Sequence, residues 1–200
     1  CGGHEAWTPD AIYQDGPNGA WQMRVFPNKF PTVREDCEEA VKEPFYTQAA
    51  GRGRHEVLVD TPDHNATIDT FDAPQIESVL QVLQERLNVF RKKAETQYVQ
   101  IFKNCGPSAG MSMHHSHWQV VGLPIIPRRA AAMAEKMQGE DCLFCKMLAY
   151  EKAQGKRVVA ETEHFLAITP YAGRFAYELW LAPKVHQRDF GEMNRAQRKD

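Results

Sequence analysis

The stretch "GMSMHHSHWQVV", residues 110–121, places three histidines within four positions and a glutamine two residues after the last. Read as a β-strand, its side chains alternate between two faces. His115, His117, Gln119 and Val121 then share one face, and Ser116, Trp118 and Val120 share the other. The loop before it, "CGPSAG", contains glycines, and "YVQIFKN" (98–104) reads as the preceding strand. Upstream, "DAPQ" (72–75) starts a helix, with Asp72 as N-cap and Pro74 in the first turn. Apolar residues at Ile76, Val79, Leu80, Leu83, Leu87 and Phe90 mark one face of that helix, running to about residue 93. "HEVLVDTP" (55–62) is a β-rich segment closed by Pro62, and residues 21–26 hold a short alternating strand. Strands and helices mixed in this way make the fold class α+β.

The second half partly repeats the first. "HEVLVDTPDH" ends in His64, eight residues after Glu56, and "YELWLAPKVH" ends in His186, eight residues after Glu178. Each is preceded by cysteine: Cys1 in the first half, Cys142 and Cys145 in the second. A repeat carrying both residue types implies two related units, each with an antiparallel sheet and packed helices. Their expected extents are residues 1–138 and 139–200. Residues 125–140 read as a linker with a short helix at 129–137, "CLFCKMLAYEKAQGKR" as a helix ended by Gly155, and 157–160, 164–168 and 176–182 as strands. The chain opens on a cysteine and stops on "NRAQRKD", which looks like a helix just beginning, so the second unit is expected to be incomplete.

Composition narrows the partners. With 42% hydrophobic residues the chain can bury a core, and its net charge of −2 gives no electrostatic case for nucleic acid or an anionic membrane. No apolar run approaches the ~20 residues of a membrane span. The odd count of five cysteines, with one CxxC, favours a reducing compartment and a metal site over a disulfide framework. No signal-peptide pattern stands at the start, and a cytoplasmic location is expected.

Zinc takes four Cys or His ligands in tetrahedral geometry. Cys142 and Cys145 supply two at a suitable spacing, and the repeat supplies His186 as a third. In the first half Cys1 and His64 are the matching pair, with His115 as a natural third. Two buried thiols or a redox pair remain the alternative reading of the CxxC.

Beyond single residues, "HHSHWQ" resembles the active-site motif of the galactose-1-phosphate uridylyltransferase family, a branch of the histidine-triad superfamily, which carries His-x-His-x-Gln. "CGGHEAWTPDAI", "VFPNKFP", "GRHEVLVDTPDHN" and "VQIFKNCGPSAGMSMHHSHWQVVGLP" are similar to further segments of that family, and "YAGRFAYELWLAPKVH" to its C-terminal repeat. The resemblance implies a histidine-triad-like fold and a nucleotidyltransferase working by a ping-pong route. His117 would be the nucleophile and Gln119 a phosphoryl-oxygen donor. Asn104, Gly110 and Ser112 would line the phosphates, and Asn28 and Phe30 would hold base and ribose. Cys1, His64 and His115 would bind one zinc, and Cys142, Cys145 and His186 a second metal. The implied substrates are a nucleotide sugar and a sugar 1-phosphate, UDP-glucose with galactose 1-phosphate, and the implied assembly is a homodimer.

Three departures keep alternatives open. Ser116 replaces the usual proline and is closer to relatives that act on ADP-glucose with phosphate as acceptor. Trp118 stands where a small residue is usual, and its face assigns it to core packing. Lys29 stands where some members have an acid. An ADP-glucose or dinucleoside polyphosphate phosphorylase is therefore the second reading, and a zinc-stabilised nucleotide-binding module without turnover the third.

Overall fold

Five strands build the first sheet: β1 (Tyr13–Asp15), β2 (Met23–Pro27), β3 (Arg54–Val59), β4 (Tyr98–Phe102) and β5 (His117–Leu123). They lie in the order β1-β2-β3-β5-β4 with every pair antiparallel. The computed structural model describes residues 2–111, 113–139 and 142–200, and the chain divides into two units, Cys1–Ile126 and Pro127–Asp200. Among the described residues no helix is long and apolar enough to cross a membrane.

Register decides what each face of this sheet carries. Residues directly opposite on neighbouring strands project to the same side. Arg24 pairs with Val59, and Val59 with His117. Phe26 pairs with Val57, Val57 with Gln119, and Gln119 with Phe102. His55 pairs with Val121. One face therefore carries Arg24, Phe26, His55, Val57, Val59, His117 and Gln119. Trp21, Phe26, Val57 and Val59 form a buried cluster on it. Trp21 is fixed through its indole N–H, which donates to Glu5 Oε1 at 2.7 Å, and the backbone N–H groups of Gly3 and Gly19 donate to the same oxygen. Glu5's own backbone N–H and these three donors hold its carboxyl down to about 2.

Helix α1 (Ala73–Phe90) serves the other face. Asp72 caps it, accepting from Gln75 N at 2.8 Å, as the sequence predicts. Val79, Val82, Leu83, Leu87 and Phe90 are buried, each such apolar side chain contributing about 1.5–3 kcal/mol. Ile76 and Leu80 are only half-buried; they border a small apolar cavity with Ile68, Phe71 and Trp118. Arg86 reaches from α1 to the buried Glu56 with two bonds of 2.7 Å. Gly122 lies where the helix ends against the sheet: a Cβ there would stand 3.0 Å from Phe90 Cδ2 and 3.2 Å from Thr96 Oγ1.

The second unit contains α2 (Arg128–Lys136), α3 (Leu143–Gln154), β6 (Val158–Glu161), β7 (Phe165–Ile168), β8 (Trp180–Pro183) and α4 (Arg195–Lys199). Its strands form an antiparallel sheet in that order, with Leu148, Leu166, Ile168 and Ala182 as core. Gly155 ends α3 in the left-handed conformation at φ 70°. The strand expected at 176–182 begins only at Trp180, because Tyr177 adopts φ 62°, a left-handed turn conformation that interrupts an extended chain.

Candidate active site

β5 starts at His117, not at His115. The pleated alternation expected from residue 115 onward therefore holds for His117, Gln119 and Val121, while His115 sits in the loop before the strand. The reason is pairing: β3 ends at Val59, opposite His117, so nothing continues the ladder toward His115. A different bond fixes His115. Its Nε2 lies 2.6 Å from Thr61 O. A carbonyl only accepts, so Nε2 carries the proton and Nδ1 keeps a lone pair.

That lone pair faces His64, whose Nδ1 is 3.3 Å from His115 Nδ1. Two nitrogens on one tetrahedral zinc with Zn–N of about 2.0–2.1 Å are separated by about 3.3–3.4 Å. The two rings thus fit a shared metal ion. Burial is the main cause holding His115 in its neutral, ligating form below the ordinary histidine value of 6.5. Cys1, the third expected ligand here, lies outside the described residues, as does Ser112.

His117 is buried, and its ring is oriented by the chain before it. Nδ1 lies 2.8 Å from His115 O, so Nδ1–H donates and Nε2 retains its lone pair. Among the described residues Nε2 has no hydrogen-bond partner. Gln119 stands two residues on, on the same face. Arg24, opposite Val59, brings a buried guanidinium to this side of the sheet. It lies over the Trp21 and Phe26 rings at 5.8 Å from each and donates to Thr8 Oγ1.

Behind the strand, Lys103 Nζ donates to Ser116 Oγ at 2.6 Å and to Asp60 Oδ2 at 2.8 Å. Trp118 takes the helix side, as expected, but it is not a purely apolar core residue: its indole N–H donates to Asp60 Oδ2 at 2.9 Å. Ser116 is thus a working part of the support beneath the two histidines.

The remaining candidates divide. Asn104 Nδ2 donates to Gly110 O at 3.3 Å, and Gly110 takes φ 80°, which a side chain would strain. This pair shapes the loop before the histidine strand. Asn28 and His55 border a cavity of about 320 Å³ together with Pro31, Val33 and Arg34. Phe30 is exposed, with Lys29 Nζ 6.0 Å from its ring centre. Sequence reasoning gave His55 no role, yet it is buried, with Nδ1 3.1 Å from Thr32 N and Nε2 2.9 Å from Gln119 Oε1. Burial is also the first cause that lowers its pKa.

In the second unit, ligand atoms of Cys142, Cys145 and His186 all lie within 4.8 Å of one another. Cys142 is the N-cap of α3 and Cys145 falls one turn into it, so both thiols point from the same helix end. The Cys145 backbone N–H is the main cause lowering the Cys142 thiol, and burial the main cause raising that of Cys145. A three-residue Cys2His set of this kind can hold a metal ion.

Residues 11–127 match the family described as "Galactose-1-phosphate uridyl transferase, N-terminal domain". The chain belongs to that family. It is 32% identical over 184 residues to the galactose-1-phosphate uridylyltransferase of Haemophilus influenzae, covering 88% of this chain and 52% of the relative. It is 29% identical over 180 residues to the ADP-glucose phosphorylase of Arabidopsis thaliana, covering 87% and 50%. The chain thus spans about half the length of these curated relatives. The crystal structure of an ADP-glucose phosphorylase from Arabidopsis thaliana with bound ADP-glucose superposes with a TM-score of 0.81 at 25% identity, over 100% of this chain and 63% of that one. The antiparallel α+β architecture is accordingly the histidine-triad-like fold of the uridylyltransferase family.

Proposed function

We propose that this chain carries the nucleophile of a nucleotidyltransferase. The supporting observation is the orientation of His117: Nδ1–H is committed to His115 O, so Nε2 presents its lone pair on the face shared with Gln119. In the first step Nε2 attacks the α-phosphorus of a nucleotide sugar. An N–P bond forms, the P–O bond to the β-phosphate breaks, and the sugar 1-phosphate leaves with the bonding electrons. In the second step an acceptor phosphate oxygen attacks phosphorus, and the N–P electrons return to Nε2. Covalent storage of the nucleotidyl group makes the kinetics ping-pong. Charge gathers on the non-bridging oxygens during both steps. Gln119 supplies an amide donor there, Arg24 a cation on the same side of the sheet, and Asn104 with Gly110 the form of the adjoining loop. Asn28, the residue expected to hold base and ribose, borders the cavity of about 320 Å³.

His64 and His115, with Cys1, would hold a zinc ion, and Cys142, Cys145 and His186 a second metal. The first would tie the loop before β5 to the end of β3, a structural contribution typical of zinc in small domains. The main reading of the substrates is UDP-glucose with galactose 1-phosphate. The ADP-glucose phosphorylase reading is favoured by Ser116, which is bonded to Lys103, and by the likeness to the Arabidopsis phosphorylase.

Each donor, mixed with stoichiometric enzyme and no acceptor, tests the proposal. Release of about one equivalent of glucose 1-phosphate from UDP-glucose supports the uridylyl reading, and from ADP-glucose the adenylyl reading. No release from either refutes transfer through these substrates.

A further inference from the structure

The route by which Gln119 comes to face the phosphate has a support outside the family motif. His55 is buried on β3, diagonal to Gln119 across the β3–β5 ladder, since His55 pairs with Val121. Thr32 N lies 3.1 Å from His55 Nδ1. A backbone N–H only donates, so Nδ1 must be unprotonated. The ring is then neutral with its proton on Nε2, and that proton points at Gln119 Oε1, 2.9 Å away. The amide is thereby fixed end for end: its oxygen is taken by His55 and its NH2 is left to donate. Among the described residues that NH2 has no hydrogen-bond partner. Asn28 Nδ2 lies 3.0 Å from His55 Nε2 and 3.5 Å from Nδ1, too near both to be in line with either. Asn28 and His55 both border the same cavity.

We infer that His55 is a positioning residue for nucleotidyl transfer: as a neutral Nε2–H tautomer it holds Gln119 with its amide donors turned toward the phosphoryl oxygens, and it links that amide to the cavity at Asn28. A glutamine without this partner rotates freely and presents oxygen, a repulsive acceptor, as readily as nitrogen. The inference rests on the transfer reading above and adds to it the origin of the donor's orientation. It is supported by the burial that disfavours a charged His55 ring.

The test is a double-mutant cycle in the full chain, read as the rate of sugar 1-phosphate release in the first half-reaction. H55A is expected to slow it about 10-fold or more, with little change in the donor concentration for half-saturation. Q119A is expected to slow it at least as much. H55A/Q119A should be no slower than Q119A alone, because His55 acts through that amide. H55Q, which can still donate to Gln119 Oε1, should recover most of the rate. An unchanged rate in H55A, or additive losses in the double variant, overturns the inference. The ring state is measured without turnover, from the His55 15N shifts between pH 6 and 8. A neutral Nε2–H tautomer is expected, and a charged ring or an Nδ1–H tautomer overturns the inference. A wild-type chain that releases no sugar phosphate refutes the transfer reading alone, and the ring measurement then decides the role of His55 by itself.

Discussion

Replacing Lys103 by methionine removes the ammonium that neutralises Asp60, whose side chain is wholly buried. The ammonium itself is mostly buried too, with 11% of the side chain exposed. After the change, Asp60 Oδ2 keeps only the Trp118 indole, Oδ1 has no partner among the described residues, and Ser116 Oγ loses its 2.6 Å donor. Removing one member of a buried pair costs about 3–5 kcal/mol, because the other charge stays buried. The Lys103 ammonium stands 5.5 Å from the Trp118 ring centre, and methionine fills that space with an apolar side chain, so the lower end, about 3 kcal/mol, is expected for K103M. For a chain of this size that is a fall in melting temperature of about 6–12 °C. Urea unfolding followed by tryptophan fluorescence measures it as a shift in midpoint. D60N/K103M removes the stranded charge and should regain most of the loss. A K103M midpoint within about 1 kcal/mol of wild type would refute the reasoning. So would a double variant no better than K103M.

Three further outcomes follow from the same geometry. Burial lowers the His55 pKa in the folded chain from 6.5, so the unfolded chain takes up its proton first as pH falls. The associated stability is complete above 6.5 and is lost as pH drops from 6.5 toward the depressed folded value; urea midpoints of H55Q should fall less than wild type over that window. G122V places side-chain atoms against Phe90 and Thr96 and should destabilise the chain by about 1–3 kcal/mol, seen in thermal melts. C145S removes one of the three ligand atoms of the Cys142, Cys145 and His186 set and should lower total bound metal by about one equivalent by elemental analysis, whereas a loss of no metal would count against that set as a site.

Local chemistry made part of this structure legible. The Asp72 cap and the apolar period announce α1, and the two-residue alternation puts His117 and Gln119 on one face before any fold is known. What the alternation could not show is where the ladder stops. His115 looks like a strand residue until β3 is seen to end at Val59, and only then does its bond to Thr61 O make sense. His55 escaped notice because its role depends on a register between strands 64 residues apart in the His55–Gln119 pair. Its signal was its place on β3, in step with Val57 and Val59, on the face that also carries the histidine strand. Asp60, Lys103 and Trp118 converge from three separate segments. No local pattern in any one of them marks the buried ion pair. The departures at Ser116 and Trp118, by contrast, were visible as single residues, and their meaning became clear only as one network with Lys103.

The covalent intermediate is the central claim, and peptide mass spectrometry at neutral pH addresses it most directly. After brief mixing with UDP-glucose or ADP-glucose, the peptide spanning β5 should gain the mass of one uridylyl or adenylyl group. That gain should map to His117, vanish on acid treatment, and be absent from H117A. A nucleotidyl group found on any other residue, or undiminished exchange by H117A, would contradict the account.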